Sequence, residues 1–558
     1  MAASEKERAA VVEEGMEERR SELKASYMKF LLRIRKKPMK VRVASKMMTE
    51  SDVITEIPPI SDPNMDEVEI NPVLDPYSFV RIRYDNTASE YLYEVIEPTL
   101  SEDERSLLDV LKSALIMTLN LTPLSTPKEK EAIVKEGAEE LMRKFGISLN
   151  PISMERIFYY LRRDFIGYGV IDPMMVDLNV EDCSCDGVDI PLFIFHRKYG
   201  SIRSNVRFVK EVELDSFVIW LAQKCGKHIS VADPLLDATI PDGSRLNATL
   251  GKHVTKRGSS FTIRRFKENP FTPIDLLKFK TMSTDMMAYL WTATEYGSSM
   301  LVCGGTASGK TTTLNAILLF IPPQMKIVSI EDTRELNLPH ENWIPALTRE
   351  GFGGKKSSAT GGIDMFDLLT SALRQRPQYL MVGEVRGKEA YVVFQAMATG
   401  KTAYSTFHAE DVQAMVHRME NDPINLPRAL LTALDIVLLQ AQVKVGTKMT
   451  RRVKSLTEIV GMDPETGELI TNSVYTWNPA DDTFNFSGHS YVYEKVRTIR
   501  NWSPREMERE VKRRVDILEY MKKSGFDNYR RVAKIISAYY KDPEKLGKEI
   551  REKLQQMG

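Results

Sequence analysis

Four cysteines in 558 residues, at 183, 185, 225 and 303, exclude a scaffold built on disulfides, and their spacing offers no paired CxxC set for zinc. Reduced, buried thiols are expected. Long apolar runs are also missing: no stretch approaches the roughly 18 residues that a membrane-spanning helix needs. The opening MAASEKERAAVVEEG has no apolar signal core, so a cytoplasmic location is expected. An excess of one charge is absent too. Lys+Arg 77 against Asp+Glu 77 leaves a formal net charge of zero, so no global field calls for nucleic acid.

What is present is the composition of a globular protein, 42% apolar and 28% charged, in a chain too long for one hydrophobic core. Residues 1–76 are charged and then punctuated by proline (IPPISDPNMDEVEINPVLDP), which reads as tail and linker, with order beginning near Tyr77. Within them Lys29, Arg33, Arg35, Lys36, Lys37, Lys40, Arg42 and Lys46 alternate with apolar residues and no acid. Two readings of residues 29–46 stay open, a membrane-surface or nucleic-acid patch, or a solvated charge run. Residues 77–270 mix strand-like runs (FVRIRY, LYEVI) with a helix from Ser101 whose Glu102 and Asp103 suit a positive helix start, so an α+β domain is expected. Residues 271–282 read as an interdomain linker and 283–558 as a second domain. In the latter, MLVCGG, KTTTLNAILLF and KIVSIED alternate as strand, helix and strand, which predicts an α/β fold with a parallel sheet.

The chemistry concentrates in that second domain. Gly304, Gly305, Thr306, Ala307, Ser308, Gly309, Lys310 and Thr311 fit GxxxxGK[ST] between a strand and a helix, and Thr312 continues the helix start. Backbone N–H groups of such a loop cradle phosphates, Lys310 reaches the β and γ oxygens, and Thr311 suits Mg²⁺. Two acidic strand ends follow, Glu331-Asp332 and, after YLMVG, Glu384. The carboxyl end of a parallel strand is where such sheets place ligands, and Glu384 there can polarise a water for γ-phosphate cleavage. Arg334, Arg349, Arg374, Arg376 and Arg386 flank these acids and suit either phosphate charge, a subunit boundary or ordinary ion pairs. His408 in YSTFHAED follows a further apolar segment.

Taken in order, GGTASGKTTTLNA, SIEDTREL, ALRQRPQYLMVGEVRG and TGKTAYSTFHAED resemble the Walker A, Asp box, Walker B and His box of the type II/IV secretion ATPase superfamily. Roughly residues 77–500 share the resemblance, and HRMENDPINLPRALLTALDIVLLQ and ITNSVYTWNPADDTF are similar to the archaellum motor subgroup. The resemblance implies a RecA-like P-loop domain that hydrolyses ATP with Mg²⁺. In it Glu331, Asp332 and Glu335 form the acidic box, Thr311, Asp332 and Glu384 lie at the metal, Glu384 is the catalytic acid and His408 senses the γ-phosphate. It also implies a homohexamer in which N-terminal arginines, for which Arg245, Arg264 and Arg265 are candidates, complete the site. Partners would be a polytopic membrane platform protein and accessory cytoplasmic archaellum or pilus proteins, with the motor peripheral to the membrane's inner face. Pilus assembly or secretion is the alternative task. A nucleic-acid motor would need a basic channel or aromatic platforms, and no nucleic acid is expected. One departure stands out: where relatives read TGH, this chain has Thr399-Gly400-Lys401.

Overall fold

The computed structural model describes residues 54–118, 126–266, 269–349, 362–446 and 448–557; the basic window 29–46 lies outside them. Two compact units divide the chain, Met1–Arg265 and Phe266–Gly558. The four cysteines are free thiols, and three of them are buried. Among the described residues no helix is long and apolar enough to cross a membrane.

In the first unit the strands are β1 (Met65–Leu74), β2 (Ser78–Asp85), β3 (Glu90–Ile96), β4 (Val180–Cys185), β5 (Pro191–His196), β6 (Gly200–Arg207), β7 (Leu235–Thr239), β8 (Arg245–Thr249) and β9 (Ser260–Arg264). They form one sheet in the order β1-β2-β3-β6-β5-β4-β9-β8-β7, in which only the β3–β6 pair is parallel. Leu214, Val218 and Leu221 of helix Glu211–Lys224 pack with Ile194, Leu246 and Ile263 of the sheet. A group of three helices, Glu102–Thr118, Pro127–Lys144 and Pro151–Phe165, closes a smaller core around Leu111, Ala138, Ile157 and Leu161. Polar caps at Thr126 and Asn150 start the second and third of these helices by accepting N–H bonds from Glu129 and Ser153.

The segment expected to be linker differs. Met65–Leu74, inside residues 1–76, is strand β1, paired antiparallel with β2 from Met65↔Asp85 to Leu74↔Ser78. Its residues are half-buried or exposed, and Pro72 is tolerated because β1 is the sheet edge. The expected linker 271–282 likewise contains helix Pro273–Lys278, capped by Thr272 and Asp275, with Ile274, Leu276 and Leu277 in the core of the second unit.

The second unit is a nine-stranded sheet of β10 (Met300–Gly304), β11 (Ile327–Glu331), β12 (Trp343–Leu347), β13 (Tyr379–Glu384), β14 (Thr402–Phe407), β15 (Ile436–Val445), β16 (Lys448–Met462), β17 (Leu469–Asn478) and β18 (Thr483–Phe486). The order is β12-β11-β13-β14-β10-β15-β16-β17-β18. Pairs from β12 to β15 are parallel, the RecA-like α/β core, and pairs from β15 to β18 are antiparallel, an extension the sequence did not announce.

β10, β11 and β14 are buried along their whole length because helices cover both faces of the sheet. Successive side chains of β10 serve opposite cores. Met300 and Val302 join the helices Thr284–Glu295 and Pro504–Lys523, whereas Leu301 and Cys303 join Met365–Arg374 and Glu389–Ala398. On the first face the helices Tyr529–Lys541 and Pro543–Met557 complete the layer, bringing Tyr539 and Ile550 into one cluster with Trp291. Arg514, wholly buried there, bonds Glu295 at 2.6 Å and the Tyr539 hydroxyl at 2.9 Å.

Glu458 on β16 joins the antiparallel extension to the rest. Buried, it accepts from the Tyr289 hydroxyl (2.8 Å), the Ser490 hydroxyl (2.7 Å), Asn472 Nδ2 (3.0 Å) and the N–H groups of Tyr491 (2.8 Å) and Val492 (3.1 Å). Removing the acceptor strands several buried donors, each costing about 1–3 kcal/mol. Glu458→Ala is therefore expected to lower the stability of this unit by about 3 kcal/mol or more, measured by urea unfolding followed on tryptophan fluorescence.

Candidate active site

The phosphate loop begins where β10 leaves the sheet. A Cβ on Gly304 would sit 2.1 Å from the Gln440 carbonyl oxygen of β15 and 2.7 Å from Ser308 Oγ, so no larger residue fits. Gly309 starts helix Lys310–Leu318 at φ +93°, in the left-handed region that glycine takes without steric cost. Gly305, by contrast, has open space around the place of a side chain, as a backbone that approaches phosphates requires. The loop closes on itself: Ser308 Oγ and Lys310 Nζ each donate to the Gly305 carbonyl at 2.9 Å, and Arg451 Nε donates to the Ala307 carbonyl at 3.0 Å. Lys310 is only 8% exposed. Burial holds its amine below the usual lysine range, against the attraction of Glu384.

Sheet order brings the acids to this loop. β10 lies beside β14, β14 beside β13, and β13 beside β11, all parallel, so Gly304, Glu384 and Glu331 end neighbouring strands at one edge, and His408 follows the end of β14. A register shift between Val382 and Glu384 interrupts β13 at Gly383, whose carbonyl accepts from Thr406 Oγ1 at 2.8 Å. Such a bulge re-aims the next side chain.

The acidic box divides into one buried and two exposed members. Glu331 is 2% exposed, and its Oε1 accepts the N–H groups of Glu335 (2.9 Å) and Leu336 (3.0 Å) while its Oε2 has no donor. Burial pushes its carboxyl up to about 7 in spite of those two bonds. Asp332 and Glu335 are exposed beside it, with Thr348 Oγ1 donating to Asp332 at 3.2 Å. Glu331 thus holds the turn that displays the other two.

Glu384 Oε2 takes Arg386 Nε at 2.9 Å and a second guanidinium nitrogen of the same residue. His408 Nε2 lies 2.9 Å from Glu384 Oε1 but off the line of a hydrogen bond, so that oxygen is buried without a donor. Burial, then Lys310, depress the His408 ring below the usual histidine range against the pull of Glu384, with Arg386 and Arg418 adding to the depression.

Other expected participants lie elsewhere. Arg245, Arg264 and Arg265 belong to the first unit and are engaged within it. Arg245 bonds Asp237 at 2.7 and 3.2 Å, Arg264 bonds Asp182 at 3.2 Å, and Arg265 donates to the carbonyls of Asp177 and Val180. Lys401 precedes β14 at its amino end, some 20 Å of strand from His408 at ~3.3 Å per residue. Arg334 stacks between Phe266 and Trp343, with ring centroids at 5.5 and 5.6 Å. The Gln440 carbonyl and the Arg451 contact come from β15 and β16, which carry no motif and could not be found by pattern.

The raised carboxyl of Glu331 has a measurable sign. Between pH 4.5, where the unfolded carboxyl titrates, and about 7, the native state binds the extra proton, so stability falls as pH rises through that window. Glu331→Gln removes this titration and keeps an oxygen for both N–H groups. Relative to the variant, the wild type is expected to lose about 3 kcal/mol between pH 4.5 and 7.5, read by chemical denaturation at both pH values.

Comparison with known proteins identifies the family. A family described as type II/IV secretion system protein matches residues 191–556, and one described as PilB3-like, N-terminal, matches residues 52–99. An uncharacterized protein of Methanocaldococcus jannaschii is 39% identical over 497 residues, 84% of this chain and 88% of that protein. The type IV secretion system protein PtlH of Bordetella pertussis is 29% identical over 264 residues, 42% of this chain and 77% of its own length. Among solved structures, the ATPase DotB of Legionella pneumophila is 18% identical with a TM-score of 0.38, over 66% of this chain and 95% of that one. A matched span of residues 191–556, which contains the glycine loop and every acid of the edge, places the chain in the type II/IV secretion system protein family, as an ATPase.

Proposed function

We propose that this ATPase powers assembly of a surface filament, working as a homohexamer on the cytoplasmic face of a membrane against a polytopic platform protein. The observation that carries the enzymatic part is the convergence of the glycine loop, Glu384 and His408 at the carboxyl edge of adjacent parallel strands. Lys310, now spent on its own loop carbonyl, is free to transfer to β and γ phosphate oxygens when they enter. Glu384 Oε1, buried beside His408 without a donor, is an acceptor for the proton of the attacking water. His408, whose surroundings favour the uncharged ring, can bond a γ-phosphate oxygen through an N–H.

The oxygen donors at this edge suit Mg²⁺, a hard cation commonly held by one or two carboxylates together with substrate phosphates. Thr311 and Asp332 would hold it, with Glu384 acting on it through a bound water, and it would neutralise charge on the β and γ phosphates. Arg245, Arg264 and Arg265 stay candidates for completing the site of a neighbouring subunit, which would require release from Asp237, Asp182 and the carbonyls of Asp177 and Val180. The basic window 29–46 would bring the motor to an anionic membrane surface, where each Lys or Arg contributes roughly 1 kcal/mol.

The C-terminal phrases similar to the archaellum motor favour rotation and assembly of that filament. The PilB3-like match at residues 52–99 favours a second reading, assembly of a type IV pilus. Deleting the gene in its host separates them: loss of swimming with loss of the swimming filament supports the first, and loss of adhesive pili alone supports the second.

For the chemistry, Lys310→Ala is expected to abolish turnover, and Glu384→Gln to retain ATP binding while slowing hydrolysis at least about a hundredfold. Steady-state hydrolysis and binding of a fluorescent ATP analogue report the two effects. Wild-type turnover in either variant contradicts the assignment of that residue. Specific activity that rises with protein concentration through the monomer-to-oligomer range supports the shared site, and a flat profile removes it.

A further inference from the structure

We infer that Arg386 is a positioning residue for hydrolysis: it pins one oxygen of Glu384 so that the other, Oε1, is the one presented to the attacking water. The inference rests on the reading of Glu384 as the base and adds a residue to that machinery.

Three observations carry it. Two nitrogens of the Arg386 guanidinium converge on the single oxygen Oε2, one of them Nε at 2.9 Å, and neither reaches Oε1. An ion pair shaped for stability alone would spread its fork over both oxygens, which is the stronger bidentate geometry. Oε1 is the oxygen left buried and without a donor, next to His408 Nε2 at 2.9 Å. Finally, the backbone between the two residues is fixed. Val385 is buried and donates its N–H to the Thr406 carbonyl at 3.1 Å, while the N–H groups of Arg386 and Gly387 donate to Glu389 Oε1 at 2.6 and 2.7 Å. Glu384 and Arg386, two residues apart on this extended stretch, project to the same side, so the arginine can act on its neighbour's carboxylate without any change in the fold.

The physical effect is orientational. A carboxylate that turns freely about its last bond offers either oxygen and spends part of its time misaimed, and small misplacements of a base are costly to proton transfer. Holding Oε2 removes that freedom. The arginine side chain is 68% exposed, so its ion pair contributes little to stability and its removal leaves the core intact. The alternative role, a direct contact of Arg386 with a nucleotide phosphate, makes a different forecast, because it acts on affinity.

The test uses the full-length protein with Arg386→Ala, Arg386→Lys, Glu384→Gln and the Arg386→Ala/Glu384→Gln double variant. Arg386→Ala is expected to lower kcat about tenfold to a hundredfold. Affinity for a fluorescent ATP analogue should change by less than about twofold, since no binding contact is lost. Added guanidinium should restore several-fold of the lost kcat, and Arg386→Lys should fall between the two. In the Glu384→Gln background, Arg386→Ala should cost nothing further, because the oxygen it aims is no longer a base. Unchanged kcat in Arg386→Ala, an affinity loss that accounts for the whole defect, or a full additional loss in the double variant overturns the positioning role. Wild-type turnover in Glu384→Gln overturns the base assignment instead, and the two failures are thereby distinct.

Discussion

The Gln440 carbonyl of β15 sits where a side chain on Gly304 would be, and the geometry of the nucleotide edge follows from that close approach. Because the two backbones touch there, β10 must end in glycine and turn out of the sheet at that point. The turn then leads through Ala307 and Gly309, both in the left-handed region, into a helix whose first residue is Lys310. A parallel sheet with both faces covered supplies the rigidity, since no strand near the loop can shift without disturbing two cores at once.

The same packing explains the electrostatics. Lys310 and Glu331 are both buried, and burial penalises the charged form of each, lowering the amine and raising the carboxyl. Neither has found a full set of partners within the unit. Lys310 is held by a neutral carbonyl, and one oxygen of Glu331 has none, so the edge is arranged for charges that arrive with a ligand. Such incomplete satisfaction is uncommon in a protein interior, and Glu331 Oε2 and Glu384 Oε1 are two instances of it at this edge.

Much of this edge was legible in the sequence, because each part of it is a local pattern. An apolar strand, a glycine loop and a helix with Lys310 at its start occupy one continuous stretch, and Glu331, Glu384 and His408 each follow an apolar run that the sheet buries completely or nearly so. What could not be read depends on distant pairing. β1 hides in a proline-rich stretch because an edge strand with neither face fully buried has no alternation to display. The antiparallel strands β16 to β18 belong to the sheet only through β15, and Gln440 matters only through its backbone. The buried role of Glu331, as against the exposed Asp332 and Glu335, is a matter of three-dimensional cover that three acids close in sequence cannot express. The helix Pro273–Lys278 reads as linker in sequence because the proline and threonine that mark a boundary are equally the signals of a helix start.

The long helical layer on one face of the sheet bears on how the motor unit is made. Ile550 and Tyr539 share a cluster with Trp291 and Val302, so the side of the sheet nearest the phosphate helix stays only partly covered until residues some 250 positions later are available. During synthesis the first unit can gather its strands early, since its core closes within Met1–Arg265. The ATPase unit cannot do so: a ribosome-bound chain that has already made the glycine loop still leaves Trp291 and its neighbours without Tyr539 and Ile550, and that core closes only as the last helices emerge.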